Sequence, residues 1–191
     1  MVKLLFLGLE GAGHKTALQV MAEGKVNQGH SYTPQVITEP EDFQETNSPY
    51  RADVIHLAEG VENAKLSGGV EVFAMDTTAP LGLRPFWRTY SNGLDAVVFF
   101  VDSSNRLTMG AAGASLKEVF EETSSVTPVL VFCNTGGASP EDVSNAFKLE
   151  AEAKDPTKGT RWIKAVGCTA SSGEGLREGM EALVAAIPKR R

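Results

Sequence analysis

Apolar residues fall along this chain in short unbroken runs separated by stretches of helical spacing. Val2–Leu7, Val70–Met75, Ala96–Val101, Val129–Cys133 and Trp162–Val166 are nearly continuous in apolar side chains, as strands covered on both faces must be. Between them the period lengthens. Ala17, Leu18, Val20 and Met21 predict a helix that runs up to Gly24, and Leu116, Val119 and Phe120 share one face of a second. Pro140 opens a third helix that takes in Val143, Phe147 and Leu149, and Leu176, Met180, Leu183, Val184 and Ile187 form a last stripe before Pro188. Val61–Leu66, Ser67-Gly68-Gly69 and Val70–Met75 read as a hairpin with a glycine turn. The stretch Val26–Gly60 is polar, Pro-containing and weakly periodic, and reads mostly as a long loop. Strands alternating with helices predict an α/β fold: a doubly wound, mostly parallel sheet with one antiparallel edge hairpin and helices on both faces.

Composition narrows this modestly. With 191 residues, 42% hydrophobic and 22% charged, one domain over 1–191 carrying a loop insertion at about 26–60 is expected. The net charge of −6 argues against nucleic acid as a partner, and Lys189-Arg190-Arg191 reads as a frayed tail. Cys133 and Cys168 each end an apolar run, as buried reduced thiols do, which fits a cytoplasmic location. No run is long enough to span a bilayer, Val2 excludes N-myristoylation, and no C-terminal cysteine is available for prenylation, so no intrinsic membrane anchor is expected. A monomer is the expected state.

The chemistry concentrates at Gly8-Leu9-Glu10-Gly11-Ala12-Gly13-His14-Lys15-Thr16, between the first strand and the first helix. A phosphate-binding loop, G-x-x-x-x-G-K-S/T, aims backbone N–H groups and a helix N-terminus at the anion, bridges the outer phosphates with lysine and gives a hydroxyl to magnesium. Three registers are open. Aligning Gly8 and Gly13 on the motif glycines puts His14 at the lysine and Lys15 at the hydroxyl. Aligning Lys15-Thr16 on the motif's end puts Leu9 and His14 at the glycines, where a Cβ hinders the turn. A loop one residue longer bulges His14 out and returns Lys15-Thr16 to the phosphates.

Longer segments carry a resemblance. Met75-Asp76-Thr77-Thr78-Ala79-Pro80, then Leu83-Arg84-Pro85-Phe86-Trp87-Arg88-Thr89-Tyr90, then Ala96–Val101 with Asp102-Ser103-Ser104 resemble the ADP-ribosylation-factor (Arf) family of small GTPases. That family has W-D-x-G-G-Q, R-P-L-W-R-x-Y and a strand ending in V-D-S. Gly8-Leu9-Glu10 with Ala12-Gly13 is similar to its G-L-D-x-A-G, and Cys168–Leu176 to its T-C-A-T-S-G-D-G-L. The resemblance covers nearly the whole chain except Val26–Gly60 and implies a P-loop NTPase-type G-domain. It implies a nucleotide site at Gly8, Gly11, Gly13, His14, Lys15, Thr16, Asn134, Thr169 and Ala170, and magnesium at Thr16 and Asp76. It implies a partner surface at Phe86, Trp87 and Tyr90.

The departures fall on the nucleotide contacts. The phosphate lysine is His14, shorter and usually uncharged. The glycine that senses the γ-phosphate falls at Ala79. The glutamine that orients the attacking water falls at Pro80, which has neither a side-chain amide nor an N–H. N-K-x-D aligns with Asn134-Thr135-Gly136-Gly137, so the acid that reads guanine is missing. The backbone at Thr169-Ala170-Ser171 still offers an N–H for a base, and counting back from Asp76 puts Leu57 near the first-switch threonine.

The resulting expectation is an interaction module, a pseudo-GTPase that has lost hydrolysis, with nucleotide binding left open, and that meets protein effectors in intracellular trafficking. No catalytic residue is assigned. The alternative is a slow GTP/GDP switch that uses Lys15, Thr16 and magnesium, and a third reading is an enzyme acting on another phosphate compound. His30 and His56 lack partners at ligand spacing and read as loop histidines, and Glu39–Asp42 reads as a solvated acidic loop.

Overall fold

A computed structural model describes residues 2–23, 54–58, 61–66, 69–77, 93–134 and 136–188. The strands are β1 Val2–Gly8, β2 Val54–Ala58, β3 Val61–Leu66, β4 Val70–Asp76, β5 Ala96–Asp102, β6 Val129–Asn134 and β7 Ile163–Cys168. The helices are α1 His14–Glu23, α2 Arg106–Glu122, α3 Pro140–Ala146, α4 Leu149–Ala153 and α5 Leu176–Ala186. They build one sheet in the order β2-β3-β4-β1-β5-β6-β7, antiparallel across β2-β3-β4 and parallel elsewhere.

The unbroken apolar runs are explained by two cores, one on each side of the sheet. Leu4, Phe6, Val98, Phe100, Leu130 and Phe132 face α1 and α5, where Leu18, Leu176, Met180 and Leu183 meet them. Their neighbours Leu5, Leu7, Val97, Phe99, Val129 and Val131 face Leu116, Val119 and Phe120 of α2, with Val143 and Leu149 beyond. A strand buried twice has no polar side to alternate with.

Three expectations need correction. The polar stretch read as a loop contains β2, which forms a further antiparallel edge outside the predicted hairpin. Its five residues, Val-Ile-His-Leu-Ala, sit against a long polar neighbour that dilutes their signal over any window. The predicted single helix through Val143, Phe147 and Leu149 breaks at Lys148, whose φ is 54°. Positions 147 and 149 lie roughly 200° apart on a helix of 3.6 residues per turn. One helix cannot send both to the core, and the left-handed residue re-aims Leu149 while Phe147 lies over Gly113 of α2. Val184, placed on the final stripe, is 46% exposed.

The end of α2 is closed by a distant side chain. Arg161, 3% exposed, donates to the carbonyls of Phe120 and Ser124, each at 3.1 Å, and to Thr123 Oγ1 at 3.1 Å. Its guanidinium also lies over the Phe120 ring, 5.1 Å from the centroid. Burial pushes its pKa down, against a smaller upward pull from Glu152. Cys133 and Cys168 are buried free thiols, as expected from their places at the ends of apolar runs, and burial pushes both up to about 12.

Candidate functional site

The glycine loop lies at the carboxyl end of the parallel strands, where α/β sheets place their ligands. Gly8 closes β1 in register with Asp76 of β4 on one side and Phe100 of β5 on the other. Thr77 N–H donates to the Gly8 carbonyl at 2.8 Å, fastening the two strand ends together. Beyond it, Gly11 and Gly13 take φ of 80° and 100°, and the chain enters α1 at His14.

At this junction the side chains turn inward. His14 is 2% exposed. Its Nδ1 is 2.8 Å from where a Cβ on Gly8 would stand, so the glycine makes room for the ring. On its other edge His14 Nε2 is 3.0 Å from Asp76 Oδ1. The N–H does not point along that contact, and neither ring nitrogen has an aligned hydrogen bond among the described residues. Lys15 Nζ donates to Asp76 Oδ2 at 2.6 Å, a short charge-assisted bond. Both Asp76 oxygens therefore have cationic or donor neighbours from α1. Burial pushes the Asp76 pKa up, but the close His14 contact, the Lys15 bond and the two nearby positive charges outweigh it and hold the group below its ordinary value.

A second carboxylate completes the cluster. Glu62 of β3 is 7% exposed, and its Oε2 has no hydrogen-bond partner among the described residues. Burial pushes its pKa above the ordinary value, with the nearby Lys15 and His14 charges opposing and Asp76 reinforcing. Sequence reasoning missed it although a signal existed. Glu62 alternates with Ala64 and Leu66, whose side chains pack under α1, so the strand's period of two puts it on the buried face.

The signs of the two acids differ. Asp76, with a lowered pKa, contributes stability at neutral pH that is lost as pH falls through its folded pKa, below the ordinary carboxylate range. Glu62, with a raised pKa, favours the folded state at low pH and loses that contribution as pH rises through its folded pKa. Glu62→Gln is therefore expected to raise the urea midpoint at pH 7.5 and leave it nearly unchanged at pH 4. Equal effects at both pH values would count against the buried charge as the cause.

On the far side of the loop Asn134, at the end of β6, works as a staple. Its Nδ2 donates to the Ala12 carbonyl at 3.0 Å, and its Oδ1 accepts from Ala170 N–H at 2.9 Å. Of the Thr169-Ala170-Ser171 backbone expected to offer an N–H to a base, Ala170 N–H is thus spent inside the protein and Thr169 N–H donates to the Glu174 carbonyl at 2.9 Å. A Cβ on Gly13 would stand 2.3 Å from Asn134 Nδ2. Asn134→Ala should cost about 2 kcal/mol, since two buried backbone groups lose their partners, and a urea titration reads it directly.

Residues 136–138 have settled onto the end of β5. Ala138 N–H donates to the Ser103 carbonyl at 2.8 Å, and a Cβ on Gly137 would stand 2.1 Å from that same oxygen. A separate concavity of about 590 Å³, lined by Gly110, Leu116, Phe120 and Phe147 among others, shares no residue with the loop or Asp76. Among the described residues no group of three or more His, Cys, Asp or Glu side chains could hold a metal ion, and no helix is long and apolar enough to cross a membrane.

The model of the ADP-ribosylation factor family matches residues 61–187. The chain belongs to that family. ADP-ribosylation factor-like protein 1 of Saccharomyces cerevisiae is 30% identical over an alignment covering 100% of this chain and 90% of that protein. ADP-ribosylation factor-like protein 3 of Chlamydomonas reinhardtii is 26% identical, with 94% and 86% covered. ADP-ribosylation factor-like protein 2 of Arabidopsis thaliana is 32% identical over 56% of this chain and 58% of that protein.

Family membership implies a guanine nucleotide with magnesium, and the residues present do not fit that pair. Asp76 is engaged on both oxygens. Thr16, partly buried in the first turn of α1, makes no bond to Asp76. Lys15 reaches Asp76 where an Arf-like loop would need its cation on phosphate, and backbone fills the volume a guanine-reading carboxylate at 137 would need. Structure thus unites Gly8, Gly13, His14, Lys15, Asp76, Asn134 and Ala170 around one loop, with Lys15 bonded to Asp76 and His14 in contact with the same carboxylate. Thr78, Ala79, Pro80, Phe86, Trp87, Tyr90 and Thr135 lie outside the described residues, as do His30, Glu39–Asp42 and Lys189–Arg191. Of His56 and Leu57 only the backbone, in β2, is described.

Proposed function

We propose that this Arf-family chain is a protein-interaction module working without a nucleotide cycle, a pseudo-GTPase that meets effector or scaffold proteins through one persistent shape. The observation that carries the reading is the 2.6 Å bond from Lys15 Nζ to Asp76 Oδ2, with His14 on the other oxygen. A loop whose cation is bonded to its own carboxylate has no free charge for a triphosphate. The role suits a single-domain, monomeric cytoplasmic protein in intracellular trafficking, as the family resemblance implies. Phe86, Trp87 and Tyr90 are the proposed contact residues.

The test is a titration of purified protein with fluorescent GDP and magnesium, beside melting curves at 1 mM GDP, GTP and ATP. A ligand with Kd of about 10 μM at that concentration would stabilise the fold by about 2.7 kcal/mol, roughly 5 to 10 °C in Tm for a chain of this size. The expected result is no saturable signal and no shift. A saturable guanine-specific signal would instead support the slow switch.

A further inference from the structure

We infer that Lys15 is a covalently tethered substitute for the divalent cation of this fold, neutralising Asp76 and Glu62 so that the β3-β4 end stays locked to α1 without metal. The inference rests on the interaction-module reading but concerns charge rather than nucleotide. In the register set by Gly8 and Gly13, Lys15 occupies the position whose hydroxyl takes magnesium. A metal ligand has thus been exchanged for a positive charge at the same point of the chain.

The geometry supports the exchange. Asp76 and Glu62 come from adjacent antiparallel strands, with Glu62 paired to Ala74, two residues before Asp76. Glu62 is nearly inaccessible and has an oxygen without a hydrogen bond among the described residues. A buried carboxylate beside a partly buried one on the neighbouring strand repels it and calls for a positive charge. Lys15 supplies it, bonded to Asp76 at 2.6 Å and close enough for its charge to act on Glu62, with its own side chain 30% exposed. A divalent ion bonded to Asp76 would have to share its oxygens with an ammonium at hydrogen-bonding distance. Tethered and mobile cations therefore exclude each other. The bond also has a mechanical consequence, because it joins the first turn of α1 to the last residue of β4.

The experiment measures melting of the full chain without nucleotide, in 1 mM EDTA and in 10 mM magnesium or manganese chloride. The parent protein should melt within about 1 °C in all three. Lys15→Ser, which returns a hydroxyl and removes the charge, should melt lower in EDTA and recover several degrees with either metal. Lys154→Ser, which breaks the exposed pair with Glu150, should show no metal response. If Lys15→Ser does not fold, the cycle of Lys15→Met, Asp76→Asn and the double variant replaces it. Coupling of about tenfold or more in the unfolding constant is expected there.

A parent protein stabilised by magnesium would overturn the inference, as would a Lys15→Ser protein equal to the parent and indifferent to metal, or a cycle with no coupling. Because no nucleotide is present, a GDP-binding parent would sink the interaction-module reading while leaving these outcomes legible on their own.

Discussion

Gly137→Asp, which rewrites the missing acid of the guanine motif, is expected to lower Tm by roughly 10 °C and to gain no guanine binding. The cause is steric. A Cβ at 137 would stand 2.1 Å from Ser103 O, 2.4 Å from Ser103 C and 2.5 Å from Ser104 Cα. Backbone cannot swing aside as a flexible side chain can, so the loop must lift off the end of β5 and lose the Ala138 to Ser103 bond of 2.8 Å. Overpacking of this kind costs about 3 kcal/mol. Gly136→Asn is the control, since Gly136 has φ of 46° and open space around it, and asparagine tolerates that conformation better than most residues. It should change Tm by no more than about 2 °C. A Gly137→Asp protein that melts with the parent and binds GDP would show that only a residue, and not the loop's shape, had been lost.

Arg161→Met should be comparably severe, at about 3 kcal/mol in urea unfolding with the m-value unchanged. Methionine keeps an apolar stem but removes the guanidinium over the Phe120 ring and the donors that serve the carbonyls of Phe120 and Ser124 and the hydroxyl of Thr123. The Phe120 carbonyl is among the last four C=O groups of α2, which have no partner within the helix, and the Ser124 carbonyl follows just past its C-cap. Arg161→Lys should recover only a minor part, because an ammonium cannot present the planar fork that reaches several acceptors at once. A lysine variant as stable as the parent would mean that charge alone closes the helix.

Much of this architecture was readable before any coordinates. Doubly buried strands leave continuous apolar runs, and β1, β4, β5 and β6 were placed from those runs to within a residue or two. Pro140 marks the start of α3 as expected, and the structure adds a capping box of Ser139 and Asp142 there. Misreadings arose where two local signals competed. At Phe147 and Leu149 the pattern supports either one long helix or two short ones, and only the demand of the core on both side chains decides. At β2 a short apolar segment gains its hydrogen bonds from β3, and nothing within the segment announces that partner.

For the site the division is sharper. Sequence alone predicted a glycine loop between the first strand and the first helix and an aspartate closing the Val70–Met75 run, and led to the expectation that the glutamine and the guanine-reading acid of an Arf-like site are missing. It left three registers for Lys15, because the glycines and the Lys15-Thr16 pair cannot all meet the motif's spacing at once with His14 between them. Tertiary structure chose among partners by distance. Packing β4 beside β1 brings Asp76 to the mouth of the loop, and packing β3 beside β4 adds Glu62. Electrostatics then draws the nearest cation inward, a choice made by residues 47 and 61 positions away in the chain and hence invisible to any local pattern.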